Sequence, residues 1–135
     1  MYKKLSTIDF HYFIGQKITE VNTEKNVPFG MEFESGSLII ECPWRILTSN
    51  EVVIGYSDCL QSPDQYSYKE VEKILTGKRI VNIFHFEHIS DLVLEAEGNI
   101  YVELFHDSNY FEGWQLRGDN EFYLVSLPGG SYAEF

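Results

Sequence analysis

Residues 15–21 read Gly-Gln-Lys-Ile-Thr-Glu-Val, and residues 77–83 read Gly-Lys-Arg-Ile-Val-Asn-Ile, an offset of 62 positions (15 to 77). In both stretches a glycine, a basic residue, an isoleucine and a β-branched residue follow one another in the same order. A pattern that recurs at a fixed distance indicates that one supersecondary unit occurs twice. These two stretches therefore decide how the rest of the chain is divided.

Further matches extend the repeat toward the C-terminus. The same offset aligns residues 36–41 with residues 98–103, and an offset of 70 (44 to 114) aligns residues 44–46 with 114–116. The second copy is therefore expanded between Glu103 and Trp114, around Phe105 to Gly113. We predict a single domain over 1–135, with copy one at about 5–60 and copy two at about 77–135.

Each copy alternates apolar and polar residues with a period of two, which is typical of half-buried β-strands. Glycine and asparagine between these stretches supply hairpin turns, because they adopt positive φ at little cost. We expect a mainly β (α+β), antiparallel, internally duplicated domain that forms a sandwich, a half-barrel or one curved sheet. The predicted strands are 16–24, 29–35, 37–42, 44–48 and 51–57 in copy one, and 78–86, 91–97, 99–105, 111–117 and 121–127 in copy two.

One helix, near 63–76, is expected to link the copies within residues 62–77. Ser62 is the predicted N-cap, Pro63 suits the first turn, and Gly77 is a C′ glycine. Apolar side chains recur at helical spacing between these ends, at Tyr68, Val71, Ile74 and Leu75. Copy one has the equivalent position before Gly15, so a short helical turn around residues 8–14 is also expected.

The composition excludes several classes of protein. The chain has 21 acidic and 10 basic residues, a formal charge of −11, and 44% hydrophobic residues. Nucleic acid is not an expected partner because its phosphates would be repelled. The N-terminus has no apolar core of a signal peptide and no run reaches membrane-spanning length, so we predict a cytoplasmic protein without a membrane partner. Cys42 and Cys59 are then expected to be reduced thiols.

No motif in the chain indicates catalysis or a cofactor. A nucleophile elbow is missing, and neither cysteine lies in a recognisable nucleophile setting. His85, His88 and His106 are residue types that bind metals, but in an extended strand His85 and His88 point to opposite faces. We therefore expect surface or strand-end histidines, no metal, no cofactor and no enzymatic activity.

The distribution of acids is the best functional indicator. Residues 80–135 contain ten acids and one base, Arg117. Strand alternation turns many of these acids outward, next to exposed aromatic residues. Such a face either keeps the protein soluble or docks a basic partner, with aromatics as anchors and carboxylates steering association. The candidate partner-binding residues are Glu95, Glu97, Tyr101, Glu103, Phe105, Asp107, Tyr110 and Glu112.

Three segments resemble a bacterial protein family of unknown function. They are Pro43-Trp44-Arg45-Ile46, Trp114-Gln115-Leu116, and the tail Leu127-Pro128-Gly129-Gly130 followed by aromatic residues. That family has duplicated strands with a glycine, two basic residues and an isoleucine, together with a PWR turn and an LPGG tail. The resemblance implies structural motifs and no catalytic residues. In size, charge and fold class the chain also resembles, more loosely, immunity proteins that neutralise nuclease toxins.

These observations lead to one functional expectation and two alternatives. We expect a non-enzymatic inhibitor of the immunity type, which covers a basic bacterial toxin domain such as a nuclease with an acidic sheet face. The first alternative is a small-molecule-binding β module with an aromatic-lined concave sheet. The second is a structural homodimer in which a sheet edge or face pairs with itself.

Overall fold

The structure, a computed structural model, describes residues 3–135. Eleven β-strands and two α-helices make up the described chain, together with 3₁₀ turns at His11–Phe13 and Pro128–Gly130. The strands of copy one are β1 (Ile18–Asn22), β2 (Gly30–Phe33), β3 (Gly36–Ile40), β4 (Trp44–Thr48) and β5 (Glu51–Gly55). The helices α1 (Tyr56–Gln61) and α2 (Tyr68–Leu75) follow, and then β6 (Ile80–His85), β7 (Leu92–Ala96), β8 (Ile100–Leu104), β9 (Trp114–Gly118), β10 (Tyr123–Ser126) and β11 (Tyr132–Glu134).

The two copies exchange their last strands. Sheet 1 has the order β1-β2-β3-β9-β10-β11, and sheet 2 has the order β5-β4-β8-β7-β6. The first three strands of each copy therefore form a meander that pairs with the fourth and fifth strands of the other copy. All pairings are antiparallel. The prediction of a mainly β, duplicated antiparallel domain is confirmed, and neither copy completes a sheet without the other.

The two glycine-containing stretches cross each other and join the sheets. Lys17 and Arg79 form an isolated antiparallel bridge. Four backbone hydrogen bonds of 2.8–2.9 Å surround it, from the N–H groups of Gly15, Ile18, Gly77 and Ile80 to the carbonyls of Ile80, Lys78, Ile18 and Gln16, respectively. Exchanging each residue for its counterpart in the other copy reproduces the same set of bonds. The crossing is thus a pseudo-two-fold axis, and the repeated stretches lie on it.

Glutamates from the two β-hairpins repeat this symmetry beside the crossing. The backbone N–H of Lys17 donates to Glu34 Oε1 at 2.7 Å, and that of Arg79 donates to Glu97 Oε1 at 2.7 Å. Glu34 and Glu97 follow β2 and β7, which are equivalent strands. Each carboxylate thus satisfies an amide that the strand ladders leave free.

The connections that carry the chain from one sheet to the other follow the same relation. The N–H of Phe105 donates to the carbonyl of Pro43 at 2.9 Å, and that of Glu41 donates to the carbonyl of Gly113 at 2.8 Å. The β3–β4 connection is residues 41–43, whereas the β8–β9 connection is residues 105–113. We call residues 105–113 the crossover loop. The predicted expansion of copy two therefore lies where the chain changes sheets.

The core lies between the two sheets and contains side chains from both copies. Ile18 and Ile80, on the two-fold axis, are 0% and 1% exposed. Trp44 and Trp114, which the repeat aligns with each other, are both buried. Phe13, from the 3₁₀ turn, and Leu75, from α2, are fully buried in the same cluster. Equivalent positions thus fill equivalent parts of one core.

Two local predictions are wrong, and one strand was not predicted. The linking helix near 63–76 is shorter, because α2 begins at Tyr68 after Ser67, and Ser62 instead ends α1. Residues 56 and 57 belong to α1 rather than to a strand, since Asp58 Oδ2 accepts the backbone N–H of Gly55 and starts a helix there. After Gly130 the tail forms β11, which pairs antiparallel with β10. This strand was not predicted.

Both helices are short. Within residues 3–135, no helix has the length and apolar character needed to cross a membrane. The predicted turn before Gly15 is confirmed by the 3₁₀ turn His11–Phe13. Gly77 follows α2 with φ of +87°, as expected of a C′ glycine.

The crossing predicts equal sensitivity at its two isoleucines. We expect Ile18→Ala and Ile80→Ala each to lower the free energy of unfolding by about 3 kcal/mol, because each leaves a cavity in a fully packed site. Ile14→Ala, at a side chain that is 37% exposed, should lower it by less than about 1 kcal/mol. Urea unfolding followed by tryptophan fluorescence measures all three. A loss below about 1 kcal/mol at Ile18 or Ile80 would contradict the central role of the crossing.

Candidate functional site

The structure places the eight sequence-predicted residues in three locations. Glu95 on β7 and Tyr101 and Glu103 on β8 lie on the outer face of sheet 2, as strand parity predicts, because their neighbours along each strand are buried. Phe105 directly follows β8. Glu97 is in the β7–β8 hairpin, and the remaining three residues, Asp107, Tyr110 and Glu112, lie in the crossover loop.

Two of these carboxylates already have partners within the protein. Glu103 forms a charge-assisted hydrogen bond with Arg45 on the neighbouring strand β4. The guanidinium of Arg45 also lies 5.0 Å from the centre of the Phe105 ring. Glu97 accepts the amide of Arg79 beside the two-fold axis. The outer face of sheet 2 is therefore less acidic than its sequence suggests.

The crossover loop presents two highly exposed aromatic side chains next to each other. Tyr110 and Phe111 are 77% and 67% exposed, and their rings pack edge to face with centroids 4.9 Å apart. Asp107 and Glu112 flank the pair within the loop, and Glu41 of the β3–β4 connection lines the same shallow depression of about 540 Å³. Among residues 3–135, the ion pairs involve Glu34, Glu87 and Glu103, so Glu41, Asp107 and Glu112 have no basic partner there.

Phe111 and Glu41 were not among the sequence-predicted residues. The expansion of copy two pointed to the segment containing Phe111. Glu41, in contrast, precedes Cys42 in the shorter copy, and only the hydrogen bond from its N–H to Gly113 brings it to the loop. We call Glu41, Asp107, Tyr110, Phe111 and Glu112 together the acidic–aromatic surface.

A serine fixes the aromatic pair on the loop. Ser108 Oγ accepts the backbone N–H groups of Tyr110 and Phe111 at 3.0 and 2.9 Å. A serine that holds the amides two and three residues ahead forms a compact turn. The exposed rings are thus carried by an ordered turn rather than by a free strand of chain, which lowers the entropy lost if they bind a partner.

His106 ties the base of the loop to the core. Its backbone N–H donates to Asp91 Oδ1 at 2.8 Å. Its Nε2 is 2.7 Å from the carbonyl of Ser108, so Nε2 carries a proton and donates, which leaves Nδ1 to accept the hydroxyl of Ser126 at 2.6 Å. A Cβ on Gly113 would lie only 2.6 Å from that Nδ1, so the site requires glycine.

The Leu127–Gly130 tail supports the same loop. The N–H of Gly129 donates to the carbonyl of Ser108 at 2.9 Å, and the carbonyl of Gly130 accepts the N–H of Ser90 at 2.8 Å. Gly129 and Gly130 have φ of +88° and +96°, which other residues rarely adopt. The tail motif therefore has a structural function, connecting the crossover loop to the β6–β7 loop.

His85 is the last residue of β6, as predicted for a strand-end histidine, but both His85 and His106 are buried rather than at the surface. His85 is 1% exposed, and its Nδ1 and Nε2 are each 2.9 Å from a serine hydroxyl, those of Ser6 and Ser90. Its ring also packs edge-on against Trp114 and Tyr132. Strand parity puts His85 on the inner face. The hydroxyls of Ser6 and Ser90 hydrogen-bond to its two ring nitrogens, which makes burial of the ring possible.

The buried polar groups do not form a catalytic arrangement. Ser126 and His106 are in hydrogen-bond contact, but Ser126 is fully buried and cannot reach a substrate. Burial, aided by the charges of Asp107 and Asp91, raises the pKa of the Cys42 thiol to about 12, which keeps it protonated. Within residues 3–135, no three side chains of His, Cys, Asp or Glu are grouped to hold a metal.

A second depression lies beside the loop, with a volume of about 790 Å³. Ile89, Asp91 and Phe105 line it, together with the glycine turn of the tail. Burial raises the pKa of Asp91, although the N–H of His106 acts against this. Ile89 has φ of +54°, a left-handed conformation that costs a β-branched residue about 1–2 kcal/mol.

The chain was compared with family models, with curated proteins and with solved structures, and it has no significant match to any of them.

Burial of His85 makes stability depend on pH. Burial lowers the pKa of His85 from 6.5 to about 4 in the folded protein, so the unfolded chain binds the proton first as the pH falls. Stability should be complete above about pH 6.5 and decline toward pH 4, by about 3 kcal/mol from this group. We expect His85→Gln to flatten that decline in urea-unfolding curves recorded across this range.

The control for this experiment is His88→Gln, at an exposed position. It should keep the pH dependence of the wild type. The raised pKa of Asp91 acts in the opposite direction, favouring the fold at low pH, but it is common to all three proteins and cancels in the comparison. An unchanged slope in His85→Gln would contradict the assignment.

Proposed function

We propose that this protein is a non-enzymatic inhibitor of the immunity type, which binds a basic toxin domain through its acidic–aromatic surface. The observation that carries the proposal is the adjacent, exposed pair Tyr110 and Phe111, held on an ordered turn and flanked by carboxylates that have no basic partner among residues 3–135. A nuclease is one kind of toxin that fits, since its substrate-binding surface is cationic.

The aromatic pair supplies the short-range part of such an interface. Binding energy at protein interfaces concentrates in a few large side chains, among which tyrosine is enriched. Exposing large apolar side chains to water is unfavourable in free energy. A partner that covers two neighbouring rings gains the favourable burial of both in a single contact. The turn formed by Ser108 orders the rings before binding, so less conformational entropy is lost.

The carboxylates supply the long-range part. The net charge of −11 attracts a cationic protein from beyond contact distance. Asp107, Glu112 and Glu41 then lie next to the anchors, where a partner's arginine or lysine side chains would meet them. Glu95, Tyr101, Glu103 and Phe105 belong to a different surface, so we assign them a secondary role at the edge of the interface.

Affinity capture tests the proposal. Immobilised wild-type protein is exposed at low salt to extract of the source organism, and bound protein is eluted with a salt gradient and identified by mass spectrometry. We expect a basic protein that elutes late and inhibits growth when expressed alone. Co-expression of the wild-type chain should then restore growth.

The doubly substituted chain Tyr110→Ala/Phe111→Ala is expected to bind that partner about 100-fold more weakly. Asp107→Asn/Glu112→Gln should mainly slow association at low salt, with a smaller effect at high salt. Phe135→Ala is the matched control, because Phe135 is 75% exposed and lies outside the surface. Wild-type affinity in the Tyr110→Ala/Phe111→Ala protein would refute the assignment of the anchors.

The depression beside Asp91 favours a second candidate, a module that binds small molecules. Its wall combines the apolar Ile89 and Phe105 with two half-buried carboxylates, Glu87 and Asp91, and the ammonium of Lys3. The remaining negative charge and the apolar wall suit an apolar amine. Benzylamine is a suitable probe. Chemical-shift changes confined to these residues, lost in Asp91→Asn, would support this candidate, whereas no shifts at millimolar amine would exclude it.

A further inference from the structure

Among residues 3–135, the five-residue strand β5 and the three-residue strand β11 each have one edge without a neighbouring strand, and β5 offers the longer one. The start of β1 and the start of β6 pair with each other at the two-fold axis, and α2 packs on β1. Residues 4–6 lie along the end of β6 and cover its edge, through backbone hydrogen bonds to His85 and Glu87. In sheet 1, β11 covers β10. In sheet 2, β5 pairs only with β4.

The pseudo-symmetry makes this difference informative. β5 and β10 are equivalent strands, the fifth of each copy, and they occupy equivalent positions in their sheets. β10 has three antiparallel residue pairs with β11 on the side away from β9. The corresponding side of β5 therefore has the geometry to take an antiparallel strand, but the described part of the chain supplies none, because α1 follows β5 directly.

The side chains at this edge are apolar and exposed. The β4–β5 ladder is irregular between Ile46 and Leu47, which leaves Val53 without a partner on β4. Val52 and Val53 are in consequence both exposed, at 49% and 40%. The adjacent helix α1 adds the exposed Leu60. An uncovered strand edge is a template for pairing with another chain, and the bulge at Val53 increases the local twist of this one.

The charges around β5 favour a second copy of this chain over a basic protein. The segment from Val52 to Gly55 has no ionisable side chain, in a protein with 21 acidic residues. The nearest following carboxylate, Asp58, is turned back to the N–H of Gly55. A basic protein would find no carboxylate to pair with between Val52 and Gly55, whereas a second copy would meet no repulsive side chain there.

We infer that β5 pairs antiparallel with β5 of a second copy of this chain, which joins the two copies of sheet 2 into one continuous sheet. In a two-fold antiparallel pair centred on Val52–Gly55, the Glu51 carboxylates of the two copies lie at opposite ends of the shared ladder. Repulsion between two copies, each with a charge of −11, opposes this dimer. Salt should therefore strengthen it.

Sedimentation equilibrium on the full chain tests the inference. We expect the average mass to rise from 15.7 kDa toward twice that value with increasing concentration, up to about 1 mM. The dimer should strengthen from about 10 mM to about 1 M NaCl, as the Debye length falls from roughly 30 Å to about 3 Å. Docking of a basic toxin domain weakens over the same range, so the two proposals can fail independently.

Val53→Lys brings two like charges together near the dimer axis and should weaken dimerisation about tenfold or more. Val81→Lys is the matched control, since Val81 is 45% exposed and lies on β6, the opposite edge strand of sheet 2. Circular dichroism checks that both variants fold.

Hydrogen exchange on the unmodified chain gives an independent measurement, which does not depend on a variant. The amides of Glu51–Gly55 should exchange more slowly at high protein concentration than at low concentration. A chain that stays monomeric up to about 1 mM at every salt concentration overturns the inference. The inference is also overturned if Val53→Lys does not weaken dimerisation, or if the exchange rates of the β5 amides do not depend on protein concentration.

Discussion

The antiparallel crossing of residues 15–18 and 77–80 is the constraint on which the rest of the structure depends. Its four backbone hydrogen bonds join two sheets that share no other ladder between named strands. The same residues place Ile18 and Ile80 in the centre of the core. Because each copy gives its last two strands to the other copy's sheet, both sheets contain strands from both halves of the chain, and the crossing holds the first strands of the two sheets together.

This exchange also explains where functional surfaces can arise. Residues on the two-fold axis have counterparts, and a change there affects both halves. The crossover loop is different, since its expansion occurs in only one copy and projects beyond the shared framework. Tyr110 and Phe111 are exposed to water on an ordered turn. Ser108, His106 and Ser126 form a chain of hydrogen bonds that links this turn to the core. Function can be added at such a loop without disturbing the symmetric core.

Electrostatics separates the two surfaces that we propose for binding. The acidic–aromatic surface uses the charge of −11 as an attractive force toward a cationic partner. The β5 edge has to overcome the same charge, because its proposed partner is equally acidic. One protein would thus have two contacts with opposite salt dependence, and the bound state would change with ionic strength.

Much of the architecture was predictable from local pattern. Alternation located the ten strands of the two copies to within a few residues, and the repeat located the expansion. These features depend on residues that are close together within a strand or a turn, so residue type and short-range spacing are enough to predict them. The helix boundaries were less accurate, because residues 62–67 have good capping chemistry that the packing of α1 and α2 does not use.

The site was predictable only in part, since its partners are distant along the chain. Strand parity turned Glu95, Tyr101 and Glu103 outward, but parity could not show that Arg45, on another strand, neutralises Glu103. It also could not bring Glu41 to the crossover loop, or bury His85 between Ser6 and Ser90.

By itself, then, the sequence determined the strands, the duplication and the acidic charge, because each of these follows from residue type and short-range spacing. Only the tertiary structure decided which copy completes which sheet, which carboxylates have partners, and which strand edge is uncovered. The physical reason is that these features depend on contacts between the two copies, whose residues are far apart in the sequence but close together in the fold.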